Sequence, residues 1–142
     1  MCRITASGLN LIKEFEGFKS LPYQDGKGIW TIGYGHINGV TAETALITEA
    51  EAERLLLDDL HEAESQISRL IQVPLNDNQY SALVSLVFNV GNAPLHRTLG
   101  QMLNAGNYAA AAEEFSKWVF IGEQPSAGLI RRRAAEKKLF QS

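Results

Sequence analysis

Apolar positions recur at helical spacing along most of the chain and alternate in one short stretch. Leu9, Ile12 and Phe15 lie on one helical stripe that ends at Gly17, with Ser7 as the expected N-cap. Pro22 then blocks helix, and Trp30, Thr31, Ile32, Gly33 and Tyr34 alternate, so Tyr23 to His36 reads as a small antiparallel sheet with glycine-rich turns. Thr48 and Glu51 form a capping box that opens a long helix, with Ala52, Leu56, Leu60, Ala63, Ile67 and Leu70 as its stripe up to about Ile71. After Asn76 and Asp77, the run from about Asn78 to Val90 leaves almost no polar face, which predicts a buried central helix. Leu99 to Asn104 predicts a short helix stopped by Gly106. Asn107 caps another from Tyr108 to about Val119, packed through Ala111, Ala112, Phe115 and Trp118. Gly122, Pro125, Ser126 and Gly128 punctuate a loop, and Leu129 to Phe140 closes the chain as a basic helix.

Composition narrows the class. At 142 residues the chain fits one domain with a sizeable core. Its single cysteine, Cys2, has no partner in the chain; it fits a reducing compartment and is expected to be inert. No apolar run reaches signal-peptide or membrane-span length, so neither export nor membrane insertion is expected. Thirteen Lys and Arg stand against sixteen Asp and Glu. The acids collect between Glu43 and Glu64, the bases in Arg131, Arg132, Arg133, Lys137 and Lys138. The basic cluster reads as a solvated helix face rather than a nucleic-acid site, because no recognition motif or aromatic stripe accompanies it.

The segment Phe15 to His36 gathers the chemistry. Glu16 ends the first helix, where the negative end of the helix dipole disfavours its ionised form and Phe15 and Phe18 add desolvation. Asp25 opens a polar Asp-Gly turn and is expected to stay ionised. Two carboxyl groups in unlike environments suit glycosidic hydrolysis, one protonating the leaving oxygen and one working on water. A hairpin centred near Gly28 would set Thr31 opposite Asp25, where its hydroxyl could hold that water. Tyr23, Trp30 and Tyr34 could stack on sugar faces, and Gly33 and Gly35 could line a groove wall where a ligand approaches closely. No His, Cys or carboxylate stands at metal-ligand spacing near His36, so no metal is expected.

Glu16-Gly17, Tyr23 two places before Asp25, then Gly28, Thr31, Gly33, Gly35 and His36 stand at the spacing of the phage-type lysozymes. In these residues, and in Gly128 to Phe140, the chain resembles that muramidase family, which includes the T-even phage lysozyme. The resemblance implies an α+β fold: a hairpin lobe, a long connecting helix, a mostly helical lobe and an active groove between the lobes. It implies Glu16 as general acid, Asp25 as the carboxylate that positions or deprotonates water, and Thr31 as its helper, with no cofactor. Tyr23, Tyr34, Gly35, Phe88 and Asn89 become candidate substrate contacts, and His36 is expected to pair with Asp59 for structure rather than chemistry.

The implied reaction is hydrolysis of the β-1,4 bond between N-acetylmuramic acid and N-acetylglucosamine in peptidoglycan. The expected biology is an endolysin, a monomer that waits in the host cytoplasm until a holin-type pore lets it reach the wall. Two other readings remain open at this level: a lytic transglycosylase, which makes an anhydro product, and a noncatalytic peptidoglycan-binding protein.

Overall fold

The computed structural model describes residues 3–142, so Cys2 lies outside the described residues. The fold is α+β. Helices α1 (Ala6–Glu16), α2 (Glu49–Leu70), α3 (Asp77–Val90), α4 (Ala93–His96), α5 (Thr98–Asn104), α6 (Tyr108–Glu114) and α7 (Ala127–Phe140) are joined by two antiparallel strand pairs. The first pair is β1 (Lys19–Gln24) with β2 (Trp30–Gly33), and the second is β3 (Phe120–Ile121) with β4 (Gln124–Pro125).

The chain divides into two compact units. One is Ile12–His61; the other combines the residues up to Leu11 with Glu62–Ser142, so the division falls inside α1 and inside α2.

The Ile12–His61 unit holds the β1–β2 hairpin, with Ile12, Ile32, Ala52, Leu56 and Leu60 buried. In the register, Tyr23 faces Thr31 and Gln24 faces Trp30, and the ladder is irregular between Lys19 and Tyr23, where Pro22 has no N–H to give. The capping box of α2 forms as the sequence predicts. The Glu51 N–H donates to Thr48 Oγ1 at 3.2 Å, while Glu51 Oε1 accepts from the Thr48 N–H at 3.1 Å. The Thr48 N–H first, and then the Thr48 hydroxyl, which donates to the same Oε1 at 3.0 Å, pull the Glu51 carboxyl below its ordinary value. A depressed value means stability that is present above the unfolded carboxyl value and is lost as pH falls through the folded one. Glu51→Ala should therefore lower the melting temperature at pH 7, and the gap to the parent should close by pH 3; a gap of equal size at both would remove the ionic part of the cap.

In the second unit α3 is the centre, with every residue from Tyr80 to Val87 buried and its main packing against α7. A second capping box starts it: Asn76 Oδ1 accepts from the Gln79 N–H, and Gln79 Oε1 from the Asn76 N–H. Leu95, Leu99, Leu103, Ala111, Ala112, Phe115 and Phe140 complete this core. At Gly100, α5 passes so close to α4 that an added Cβ would lie 1.9 Å from the Leu95 carbonyl oxygen.

Several sequence expectations are corrected. Thr5, not Ser7, caps α1: its Oγ1 accepts from the Gly8 N–H at 2.9 Å. The helix expected to reach Val119 ends as α at Glu114 and continues as one 3-10 turn, Phe115–Lys117, where the Ser116 hydroxyl donates to the Glu113 carbonyl. The basic stretch of α7 is not a solvated face, since Arg132 and Arg133 are 4% and 1% exposed. Both turn inward onto Glu136, which is fully buried: Arg133 Nε lies 2.7 Å from its Oε1 and Arg132 Nε 3.3 Å from its Oε2. Ser85 of α3 donates its hydroxyl to the same carboxylate. Burial pushes the Glu136 carboxyl up, against Arg133, Ser85 and Arg132, which all pull it down. Arg131 and Lys138 stay exposed.

Candidate active site

Glu16 is the last residue of α1, and Gly17 follows in the left-handed region at φ 74°, its N–H closing the helix onto the Lys13 carbonyl. The chain turns there into β1, which brings the hairpin back toward the helix end. The closest fit lies at Gly35. Its φ is +84°, and a Cβ built on it would stand 3.0 Å from Glu16 Oε1. Gly35 therefore leaves room for the protein's own carboxylate, and Gly33, whose Cβ would meet Ala52 and Ile47, leaves room for α2 and its approach. That is a different reason for glycine from the one expected at these two positions, which was the approach of a ligand.

The turn bearing these glycines is pinned from behind. Ile32 and His36 exchange both backbone hydrogen bonds at 2.9 Å, closing Gly33, Tyr34 and Gly35 into a tight loop. His36 Nδ1 is 2.8 Å from Asp59 Oδ2 on α2, the expected pair. A carboxylate can only accept, so Nδ1 carries the shared proton. The chain of support runs from Asp59 through His36 to the loop and so to Glu16.

Asp25 and Thr31 are linked, though not as expected. The hairpin is centred on Lys27 rather than Gly28, so Thr31 faces Tyr23 and Asp25 faces Ile29 through the Asp25 N–H to Ile29 carbonyl bond. Asp25 Oδ1 accepts from the N–H groups of Lys27 and Ile29, at 2.8 and 2.9 Å. The Thr31 hydroxyl donates to the Ile29 carbonyl at 2.9 Å. One peptide residue, Ile29, thus holds the carboxylate with its N–H and the hydroxyl with its carbonyl. Thr31 is 3% exposed and Asp25 half-buried. With its proton committed to Ile29, Thr31 Oγ1 presents only acceptor capacity to anything else.

Tyr23 lies in the field of both carboxyl groups. Burial raises its phenol first, then the charge of Glu16, then that of Asp25, so both act on the same hydroxyl. Tyr34 has another role than the sugar stacking expected of it. It is 5% exposed, Phe18 packs on it with ring centroids 5.7 Å apart, and Lys13 Nζ lies 5.7 Å from its ring. Burial first, and then the charge of the Glu49 carboxylate, push its phenol up. Lys13 is in turn ion-paired with Glu53. Tyr34 is a packing residue with almost no surface left for a ligand.

Phe88 and Asn89 belong to the other unit, in the last turn of α3 ahead of the capping Gly91. Phe88 is half-buried and Asn89 exposed, but Asn89 Oδ1 accepts from Arg133 Nη2 at 2.8 Å. The arginines behind it were missed as a structural group. Their signal in the sequence is the spacing of Arg132 and Arg133 from Glu136, four and three residues, which sets all three on one helix face.

A helix-end carboxyl thus lies against a glycine loop, with an Asp and a Thr fixed on one hairpin, in the α+β fold of the lysozymes, a class of glycoside hydrolases. The phage lysozyme family model matches residues 13–136, and the chain belongs to that family. The endolysin of Acyrthosiphon pisum secondary endosymbiont phage 1 is 43% identical over 144 residues, covering 98% of each chain. Among solved structures, the muramidase domain of SpmX from Asticcacaulis excentricus superposes with a TM-score of 0.91 at 37% identity, covering 100% of this chain and 99% of that one. An L86M variant of P22 lysozyme gives 0.90 at 40%, with both chains fully covered.

Proposed function

We propose that the chain acts as one catalytic domain and is an endolysin. It hydrolyses the β-1,4 bond between N-acetylmuramic acid and N-acetylglucosamine in bacterial peptidoglycan, with inversion. Glu16 protonates the leaving oxygen, and Asp25 takes a proton from water. Thr31 accepts a hydrogen bond from that water. The observation that carries the reading is the commitment of the Thr31 proton and of Asp25 Oδ1 to the Ile29 peptide and its turn. A water that donates one hydrogen to Thr31 Oγ1 and the other to Asp25 Oδ2 keeps its lone pair for the sugar carbon. A carboxylate that attacked carbon itself would gain nothing from such a neighbour. Family membership, a relative named endolysin and a neighbour titled muramidase support the substrate class.

Tyr23, Gly35, Phe88 and Asn89 stay as proposed substrate contacts, Asn89 through its amide N–H groups. Among the described residues no helix is long and apolar enough to cross a membrane. We take the protein to act as a monomer, to be held in the host cytoplasm and to reach the wall, in the periplasm, through a holin-type pore.

An inverting enzyme keeps its carboxyl groups roughly 6.5 to 9.5 Å apart, and a retaining one about 5 to 5.5 Å. The expected first product from the β-linked chain is accordingly the α anomer. A nuclear magnetic resonance time course on a defined oligosaccharide, read before mutarotation, tests this. A β anomer first, or a sugar ester trapped on Asp25, would overturn the base role. Product mass separates the readings: an anhydro sugar would mean a transglycosylase, and no product at all a noncatalytic binding protein.

A further inference from the structure

Arg133 is 1% exposed, yet one of its hydrogen bonds ends on an exposed side chain. Its Nη2 donates to Glu136 Oε2 at 3.1 Å and to Asn89 Oδ1 at 2.8 Å. Nη1 donates to the Trp118 carbonyl at 3.3 Å, and Nε lies 2.7 Å from Glu136 Oε1. The guanidinium is thus held from α7, from α3 and from the residue that follows the 3-10 turn. It cannot swing away without stranding the Glu136 carboxylate in the core.

A surface asparagine ordinarily offers either end of its amide, oxygen or nitrogen, to what approaches it. Asn89 has no such choice, because a guanidinium carries only donors and the amide nitrogen has nothing to accept with. Oδ1 therefore faces inward and Nδ2 outward; among the described residues, Nδ2 donates to no protein group. The result is an exposed pair of N–H groups whose direction is fixed from the core. A sugar hydroxyl can meet either end of an amide, so fixing the direction gains nothing against it. A carbonyl oxygen meets only the N–H end. We propose that Arg133 is a positioning residue for Asn89, and that the fixed N–H groups bind a carbonyl oxygen of peptidoglycan, from an acetamido group of the glycan or an amide of its peptide stem. This rests on the endolysin reading and on Asn89 being a substrate contact.

The test measures kcat and KM on two peptidoglycan fragments of equal glycan length, one without peptides and one carrying its stems, with rates taken per folded molecule from melting curves. Asn89→Asp is nearly isosteric and keeps an oxygen for Arg133, so the melting temperature should be at or above the parent's. Its outward oxygen repels a carbonyl instead of donating to it. KM is expected to rise about 10- to 100-fold, with kcat within about threefold of the parent. A rise on both fragments assigns the acetamido carbonyl, and a rise on the stem-bearing fragment alone assigns the peptide carbonyl. Arg133→Lys keeps a cation for Glu136 but loses the fork that reaches Asn89, and KM should rise about 3- to 10-fold. The same change on an Asn89→Ala background should raise KM no further, since there is no amide left to aim. A parental KM for Asn89→Asp on both fragments would overturn the carbonyl contact. An equal effect of Arg133→Lys with and without Asn89 would overturn the positioning role. If the parent releases no product from either fragment, the endolysin reading fails and the proposal falls with it; if the parent cleaves them and the variants keep its KM, only the proposal fails.

Discussion

Glu16→Gln is expected to abolish lysis of cell walls, a loss of roughly 10²- to 10⁴-fold, while cooperative unfolding stays at the parental midpoint. The two outcomes separate because the carboxyl has two relations to its surroundings, one of shape and one of charge. The amide occupies the same volume, so the close contact with Gly35 is kept. What it lacks is a proton to give to the leaving oxygen. Turbidity of a wall suspension and a thermal melt of the same sample read both. Parental lysis by the variant would mean that the acid lies elsewhere; a large drop in the melting temperature would mean that Glu16 is chiefly a structural residue.

The largest loss of stability is expected at Glu136→Gln. Arg132 and Arg133 share this one carboxylate at 3.3 and 2.7 Å, and all three side chains are buried. Guanidinium groups do not deprotonate in proteins, so the substitution takes away the anion and leaves both cations in place. Removing one partner of a buried ion pair costs about 3 to 5 kcal/mol. Denaturant unfolding of the variant should show that loss. Replacing Arg132, Arg133 and Glu136 together by Met, Met and Leu should recover most of it, because an apolar cluster of similar volume needs no counter-charge. A single variant within about 1 kcal/mol of the parent would mean that the cluster contributes packing rather than charge balance.

The same cluster marks where reading from sequence stops. A run of three arginines has a composition that favours water, and only the arrival of Ser85 and Asn89 from α3 turns two of them inward. No local pattern contains that encounter. The hairpin register escaped for another reason. Shifting the partner of Thr31 from Asp25 to Tyr23 is a slip of two residues, and such a slip leaves every side chain on its original face. The alternation that identified the strands is blind to it. Helix α4 and the β3–β4 pair, with four and two residues per element, are shorter than any periodicity can register.

What was legible had strong local chemistry. The Thr48 and Glu51 cap, the turn at Asp25 and the stop at Gly17 all form where their residue types predict. The Glu16, Asp25 and Thr31 set is carried by one compact unit, and His36 meets Asp59 as the family spacing implied.

The anchoring of Asp25 in its own turn bears on how mutational data at this position can be interpreted. One oxygen of that carboxylate closes the loop on Lys27 and Ile29, and through Ile29 it also fixes the hydroxyl of Thr31. Alanine there deletes a chemical group and a piece of architecture in the same stroke, whereas asparagine deletes the basicity alone, since its amide oxygen can still close the loop. On the proposed mechanism, inactive alleles at this codon are of two kinds, and an asparagine allele that still binds wall fragments with Thr31 in place belongs to the second kind: it has lost the proposed base and kept its scaffold.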